Sequence, residues 1–211
     1  MDKKSVVSGL TLEQLNAFVE KLGGHEVVLQ IISGELLISK SARHWREQDG
    51  IIRFSVTSNG MTGEQWITHL ESRSLRVEEG AKQLLTSLAF KPTSGVTTDI
   101  AVLNSSFFSD DTRSTTNIRA QAKTWNFCRP NAEVACLIRA MFTDAEFEVM
   151  GFGGIVAMHD PIEDSDHLPR LLSTSRRGGG RFLGQDFGKP DTTWRSDVGF
   201  AFAVPQAGPY R

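Results

Sequence analysis

The spacing of apolar residues changes along this chain. Leu12, Leu15, Val19 and Leu22 recur every three or four residues between Thr11 and the Gly23-Gly24 pair, with Gln14 three positions after Thr11. That spacing predicts an amphipathic helix entered through a capping box and stopped by glycine. The dense apolar run Val27-Val28-Leu29-Gln30-Ile31-Ile32 suits a buried helix or a strand, and we favour a helix to Ser33. After Asp49-Gly50, Ile52, Phe54 and Val56 alternate with Arg53, Ser55 and Thr57, as in a half-buried strand that Asn59-Gly60 ends. Thr62-Gly63-Glu64-Gln65 is a second capping box, for a helix carrying Trp66, Ile67 and Leu70, and a further helix is expected over residues 77–88. A turn from Pro92 leads into a strand over residues 96–103. Three more helices are expected, from Asp110-Asp111 to Lys123, from Pro130-Asn131, and from Thr143-Asp144 to Gly151.

From Gly151 onward glycines cluster, helical spacing disappears, and short strands are expected at residues 154–158, 171–175, 181–183 and 198–204. Helices first and strands afterwards predict an α+β fold with an antiparallel or mixed sheet, not a doubly wound α/β fold. We divide the chain into a helical N-terminal segment, residues 1–42, and an α+β domain, residues 43–211, with a helical insertion at about 109–150.

Composition narrows the picture. Hydrophobic residues make up 39% of the 211 and charged residues 23%, and no stretch reaches the roughly 18 to 20 apolar residues of a membrane span, so a water-soluble protein is expected. The N-terminus has no apolar run of secretory length, and the default location is the cytoplasm. Lys and Arg total 23 against 25 Asp and Glu, a net charge of −2 that gives no global attraction to nucleic acid or anionic membrane. Cys128 and Cys136 cannot form a disulfide framework or complete a zinc site by themselves; both are expected reduced, Cys136 as a core residue.

Few motifs point to catalysis. The segment His159-Asp160-Pro161-Ile162-Glu163-Asp164-Ser165-Asp166-His167 is the densest polar cluster, and it supports the alternative of a metal-dependent hydrolase using His159, Asp160, Asp164, Asp166 or His167. Its spacing matches no ligand rule, and an acidic loop between strands is usually just solvated. There is no Gly-x-Ser-x-Gly elbow, and Arg177-Gly178-Gly179-Gly180-Arg181 has neither the Lys-Ser/Thr nor the helix of a phosphate-binding loop. Together with Arg176 and Phe182 it suggests a second alternative, a nucleic-acid-binding accessory protein, against the plainer reading of a turn between strands. Arg43-His44-Trp45-Arg46 is read as a Trp covering a core edge with its arginines in solvent. We assign no catalytic residue, metal or cofactor.

Binding is the better expectation. Residues 175–204 mix arginines, large aromatics and small polar residues, the composition binding surfaces use to gain contact area and hydrogen bonds at low entropic cost. The ending Trp194-Arg195-Ser196-Asp197-Val198-Gly199-Phe200-Ala201-Phe202-Ala203-Val204-Pro205, after a glycine-rich polar-aromatic strip, resembles the C-terminus of variable proteins from diversity-generating retroelements. Residues 35–206 also resemble an uncharacterised bacterial family, through Trp45-Arg46-Glu47, Thr62-Gly63-Glu64-Gln65-Trp66-Ile67, Pro130-Asn131-Ala132-Glu133-Val134-Ala135-Cys136-Leu137-Ile138-Arg139 and Met158-His159-Asp160-Pro161-Ile162. The second resemblance implies no activity. The first implies a C-type-lectin-like domain whose diversified face binds a protein or other macromolecular ligand. It places that face on Arg176, Arg181, Phe182, Gln185, Asp186, Phe187, Lys189, Asp191, Thr192, Thr193 and Arg195, over buried Leu183, Phe200 and Phe202, with Trp194 in the framework.

Overall fold

The computed structural model describes residues 11–33, 44–177 and 180–205. The N-terminal ten residues, the stretch 34–43 with Arg43, the glycine pair 178–179 and residues 206–211, on which parts of the sequence reading fell, lie outside the described residues. The chain divides into two compact units, Met1–Arg43 and His44–Arg211.

The first unit holds α1 (Leu12–Lys21) and α2 (His25–Ser33). Thr11 and Gln14 cap α1 reciprocally as the sequence predicts, and Gly23 and Gly24 break it with φ of 105° and 94°. The ambiguous apolar run is helical. Neither helix contains a buried residue.

The second unit is built on one mixed sheet. Its strands are β1 (Arg46–Gln48), β2 (Ile51–Asn59), β3 (Arg76–Val77), β4 (Ser94–Asn104), β5 (Gly154–Ala157), β6 (Ile162–Glu163), β7 (Pro169–Arg177), β8 (Gly180–Phe187) and β9 (Val198–Val204). The order is β1-β2-β4-β9-β5-β7-β8-β3, with β6 paired to β7. Most neighbours are antiparallel; β9 with β5 and β8 with β3 are parallel. Asp49 and Gly50, with φ of 53° and 73°, make the two-residue turn between β1 and β2, the geometry that favours Asp-Gly in tight hairpins. Among the described residues this is the mixed α+β class that the sequence predicts, and no helix is long and apolar enough to cross a membrane.

Alternation along the strands sorts the core into two layers. Ile52, Phe54, Val56, Ile100, Val102, Ile155, Leu172, Leu183 and Ala201 face α3 (Gly63–Ser72), α4 (Glu79–Thr86), α6 (Val134–Met141) and α7 (Asp144–Val149). Ile51, Ala101, Leu103, Val156, Leu171, Phe200 and Phe202 face the other way, toward Ile118 and Ala122 of α5 (Thr115–Thr124), Phe108 and Trp194. Buried Glu133, just before α6, joins the first layer: its carboxylate accepts from Trp66 Nε1 at 3.3 Å and from the Thr93 amide at 2.9 Å.

Three helix starts differ from the sequence expectation; the helix expected from Pro130-Asn131 begins at Val134 as α6. The helix expected from residue 77 begins at Glu79, because Arg76 and Val77 pair with Phe182 and Leu183 of β8. The helix expected from Asp110-Asp111 begins at Thr115. Asp110–Thr112 form a 3-10 turn in which Asp110 accepts from Arg113, and Ser114 caps α5 by accepting from the Asn117 amide.

At the start of α3 an added Cβ on Gly63 would lie 1.9 Å from the carbonyl oxygen of Leu85 in α4, so the helices touch where only glycine fits. Replacing Gly63 with alanine is therefore expected to destabilise the domain by about 3 kcal/mol in urea titration, with an unchanged denaturant slope.

Candidate functional site

On the face opposite α3, α4 and α6, the β5-β7-β8 part of the sheet carries small side chains. Gly154 and Ser175 form one cross-strand pair there, and Val156, Ser173 and Gly184 form the next row. Beside this shallow floor stands the loop at residues 188–197, and the two enclose a groove of about 200 Å³. Its lining includes Gly154, Val156, Ser173, Ser175, Asp186, Phe187, Thr192, Thr193, Trp194, Arg195 and Val198.

The loop is held by its main chain. The α5 amides of Thr115 and Thr116, which have no partner within the first turn of a helix, donate to the carbonyls of Thr192 at 3.1 Å and Pro190 at 3.0 Å. The Trp194 amide donates to the Arg113 carbonyl at 3.0 Å, and its indole Nε1 donates to Thr115 Oγ1 at 3.0 Å. Arg113, itself buried, donates from Nη2 to the Phe108 carbonyl at 3.0 Å, from Nη1 to Asp110 at 2.8 Å and to the Trp194 carbonyl at 3.4 Å, and from Nε to the Ser105 carbonyl at 3.4 Å. The loop backbone is thus fixed while the side chains of Thr193 and Arg195 stand in solvent.

Charge beside the groove is paired within the loop. Arg195 makes a two-pronged contact with Asp197, whose hydrogen bond and charge raise the guanidinium pKa, with Asp186 adding to the effect. The remaining polar groups are hydroxyls. Such a groove suits a ligand that offers hydrogen-bonding groups and an apolar or aromatic surface for Trp194 and Val156.

Five of the residues expected to bind come together here: Asp186, Phe187, Thr192, Thr193 and Arg195. Lys189 and Asp191 are exposed on the same loop, and Lys189 Nζ lies 5.6 Å from the centroid of the Phe187 ring, which Arg170 covers at 3.9 Å. The other four lie elsewhere. Arg176 pairs with Glu148 of α7 at 2.9 Å, Arg181 lies 3.5 Å from Asp144, and Phe182 stacks with Arg76 at 5.3 Å. Gln185 lies beneath α4, where an added Cβ on Gly80 would sit 2.1 Å from its amide nitrogen. Trp194, Leu183, Phe200 and Phe202 are buried. Gly154, Val156, Ser173 and Ser175 went unrecognised in the sequence, although Leu171-Leu172-Ser173-Thr174-Ser175 already signals a strand with one polar-lined face.

The polar cluster after β5 is a structural turn. His159 is buried; its Nδ1–H donates to the Asp160 carbonyl at 2.6 Å and its Nε2 accepts from the Leu172 amide at 2.9 Å. Asp164 accepts from the amides of Asp166 and Leu168, both at 2.9 Å, and from Arg170 Nε at 2.6 Å; the Leu168 and Arg170 bonds are the main reasons its pKa is lowered. Asp160 pairs with Arg129, and His167 is exposed, 3.4 Å from Glu163. Among the described residues no three His, Cys, Asp or Glu side chains converge to hold a metal ion. Both cysteines are free thiols, and burial pushes that of Cys136 upward.

Comparison of the chain with protein-family models, with curated proteins and with solved structures returned no match.

Burial lowers the pKa of His159 from 6.5 to about 4. The folded chain keeps this imidazole neutral while the unfolded chain protonates it, so its contribution is complete above pH 6.5 and is lost as pH falls toward 4. We expect about 3 kcal/mol of stability to disappear through this group over that interval. In H159Q, urea midpoints measured against pH should be flatter between pH 6.5 and 5 than in the parent.

Proposed function

We propose that this chain is a ligand-binding module whose binding face is the groove between the β5-β7-β8 sheet surface and the loop at residues 188–197. The observation that carries this reading is the separation of tasks within the loop. Its amides and carbonyls are engaged by α5 and Arg113, whereas Thr192, Thr193 and Arg195, with Asp186 and Phe187 across from them, line the groove. A fixed backbone presenting solvent-facing polar and aromatic side chains lowers the ordering cost of binding.

The size of the groove bears on the partner. Enclosed small-molecule pockets usually hold roughly 300 to 1,000 Å³. About 200 Å³ beside exposed Lys189, Asp191 and Arg195 suits one or two side chains inserted from a macromolecular surface. The finer form of the proposal is that this is the variable protein of a diversity-generating retroelement, with a C-type-lectin-like domain and a diversified C-terminal face. Its support is the Gly199-Phe200 ending on β9 and a wall of exposed side chains placed just before it on a fixed main chain.

Two measurements test the proposal at its two levels. A display library randomised at Asp186, Thr192, Thr193 and Arg195 should stay folded, with each single change costing no more than about 0.5 kcal/mol, and should yield binders to unrelated protein targets. Randomising Arg113 or Trp194 should instead abolish cooperative unfolding. Groove variants that lose stability as severely would show that these side chains hold the fold and would end the binding reading. For the finer form, neighbouring DNA should contain a reverse transcriptase and a template copy that differs mainly at adenines in the codons for residues 176–197; differences scattered over all bases would overturn it.

A further inference from the structure

Two arginines meet a single carboxylate near the start of β8, away from the groove. Arg139 of α6 has a fully buried side chain: Nη2 donates to the Phe142 carbonyl at 2.6 Å and lies 3.2 Å from Asp144 Oδ1, and the guanidinium sits 4.6 Å from the centroid of the Phe147 ring. Among the described residues its Nε and Nη1 have no hydrogen-bond partner. The other oxygen of the same carboxylate, Asp144 Oδ2, faces Arg181 Nε at 3.5 Å. Beyond Arg181 opens a cavity of about 470 Å³ lined by Arg73, Ser74, Arg76, Asp144, Arg181 and Phe182, together with Gly180. Among the described residues neither Arg73 nor Arg76 has an ion-pair partner, and Arg76 lies over the Phe182 ring. The lining therefore carries three guanidinium groups against one carboxylate, and that carboxylate is shared with a buried fourth.

We propose that this cavity binds a phosphate-bearing ligand, a polyanion whose oxygens bridge Arg73, Arg76 and Arg181. A single guanidinium fork suffices for a carboxylate, whereas the three guanidinium groups on this one lining supply more donors than one carboxylate can accept; phosphate oxygens match that number. The ligand adds the negative charge that Asp144 alone does not provide. Ser74, held at φ 59° just beyond the end of α3, belongs to the same lining. Another basic cavity, at Arg119, Lys123 and Arg129, is lined largely by carbon, and its Arg129 already pairs with Asp160. This inference is independent of the groove.

Calorimetric titration of the full chain at low salt tests it, with pyrophosphate, a nucleoside 5′-monophosphate and succinate as probes. Pyrophosphate or the monophosphate should bind, more weakly as salt rises; tighter binding of the monophosphate would assign the ligand to phosphate esters, and tighter binding of pyrophosphate to free phosphoanions. R76Q and R181Q, both at exposed or half-exposed positions, should each weaken binding about tenfold while circular dichroism and the urea midpoint confirm folding. D144N should tighten it; if that variant fails to fold because Arg139 loses its carboxylate, the two arginine variants still decide. Absence of binding by both phosphate probes, affinity unchanged in R76Q and R181Q, or equal affinity for succinate would overturn the proposal.

Discussion

The buried guanidinium of Arg113 organises the side of the sheet that carries the groove. Two stretches of chain that are far apart in sequence meet on it: the segment that runs through the 3-10 turns after β4 into α5, and the segment leading into β9. Neither is long enough to bury a core of its own. A charge without water is costly, and that cost is offset only when its donors find acceptors in good geometry. The carbonyls of Ser105, Phe108 and Trp194 and the carboxylate of Asp110 accept from four of its five N–H groups. The same bonds set the position of Trp194, which in turn closes the layer against Phe200 with ring centroids 5.7 Å apart.

Much of this architecture was legible in the sequence. Alternation at Ile52, Phe54 and Val56 marks β2 because one face of that strand is buried and the other is not; capping residues mark α1, α3 and α7 because unpaired amides at a helix start need side-chain acceptors. The shortest strands left no trace. β1, β3 and β6 span two or three residues, too few for any periodicity, and exist because a longer neighbour offers free backbone groups. Asp110-Asp111 resembles a helix start, but its first carboxylate serves the Arg113 side chain instead of helix amides.

The binding face was legible only in part, for a geometric reason. A contiguous stretch of sequence cannot be a contiguous surface once it becomes a strand, since successive side chains leave by opposite faces. Gln185 and Asp186 are neighbours in the chain, yet one packs under α4 and the other lines the groove. The missing half of the surface, Ser173 and Ser175, comes from the strand beside it. The residues that looked most chemical have a similar explanation. His159, Glu133 and Asp164 are polar groups at positions where backbone amides or an indole would otherwise lack partners, so a histidine and acids in a short span signal satisfied burial here.

The place of β9 in the sheet has a consequence for biosynthesis. This strand lies between β4 and β5, so the block β1-β2-β4 and the block β5-β7-β8 share no backbone ladder until it arrives. During translation β9 emerges after every other described strand, and the nascent chain must keep two unpaired edges, those of β4 and the four-residue β5, apart while it waits. Closing the sheet then requires contacts of high sequence separation, Leu103 with Phe200 among them, which makes the last step of assembly the slow one. A ribosome that stalled or terminated before Val198 would release a chain with both edges open, a substrate for chaperones and proteases rather than a smaller version of the same fold.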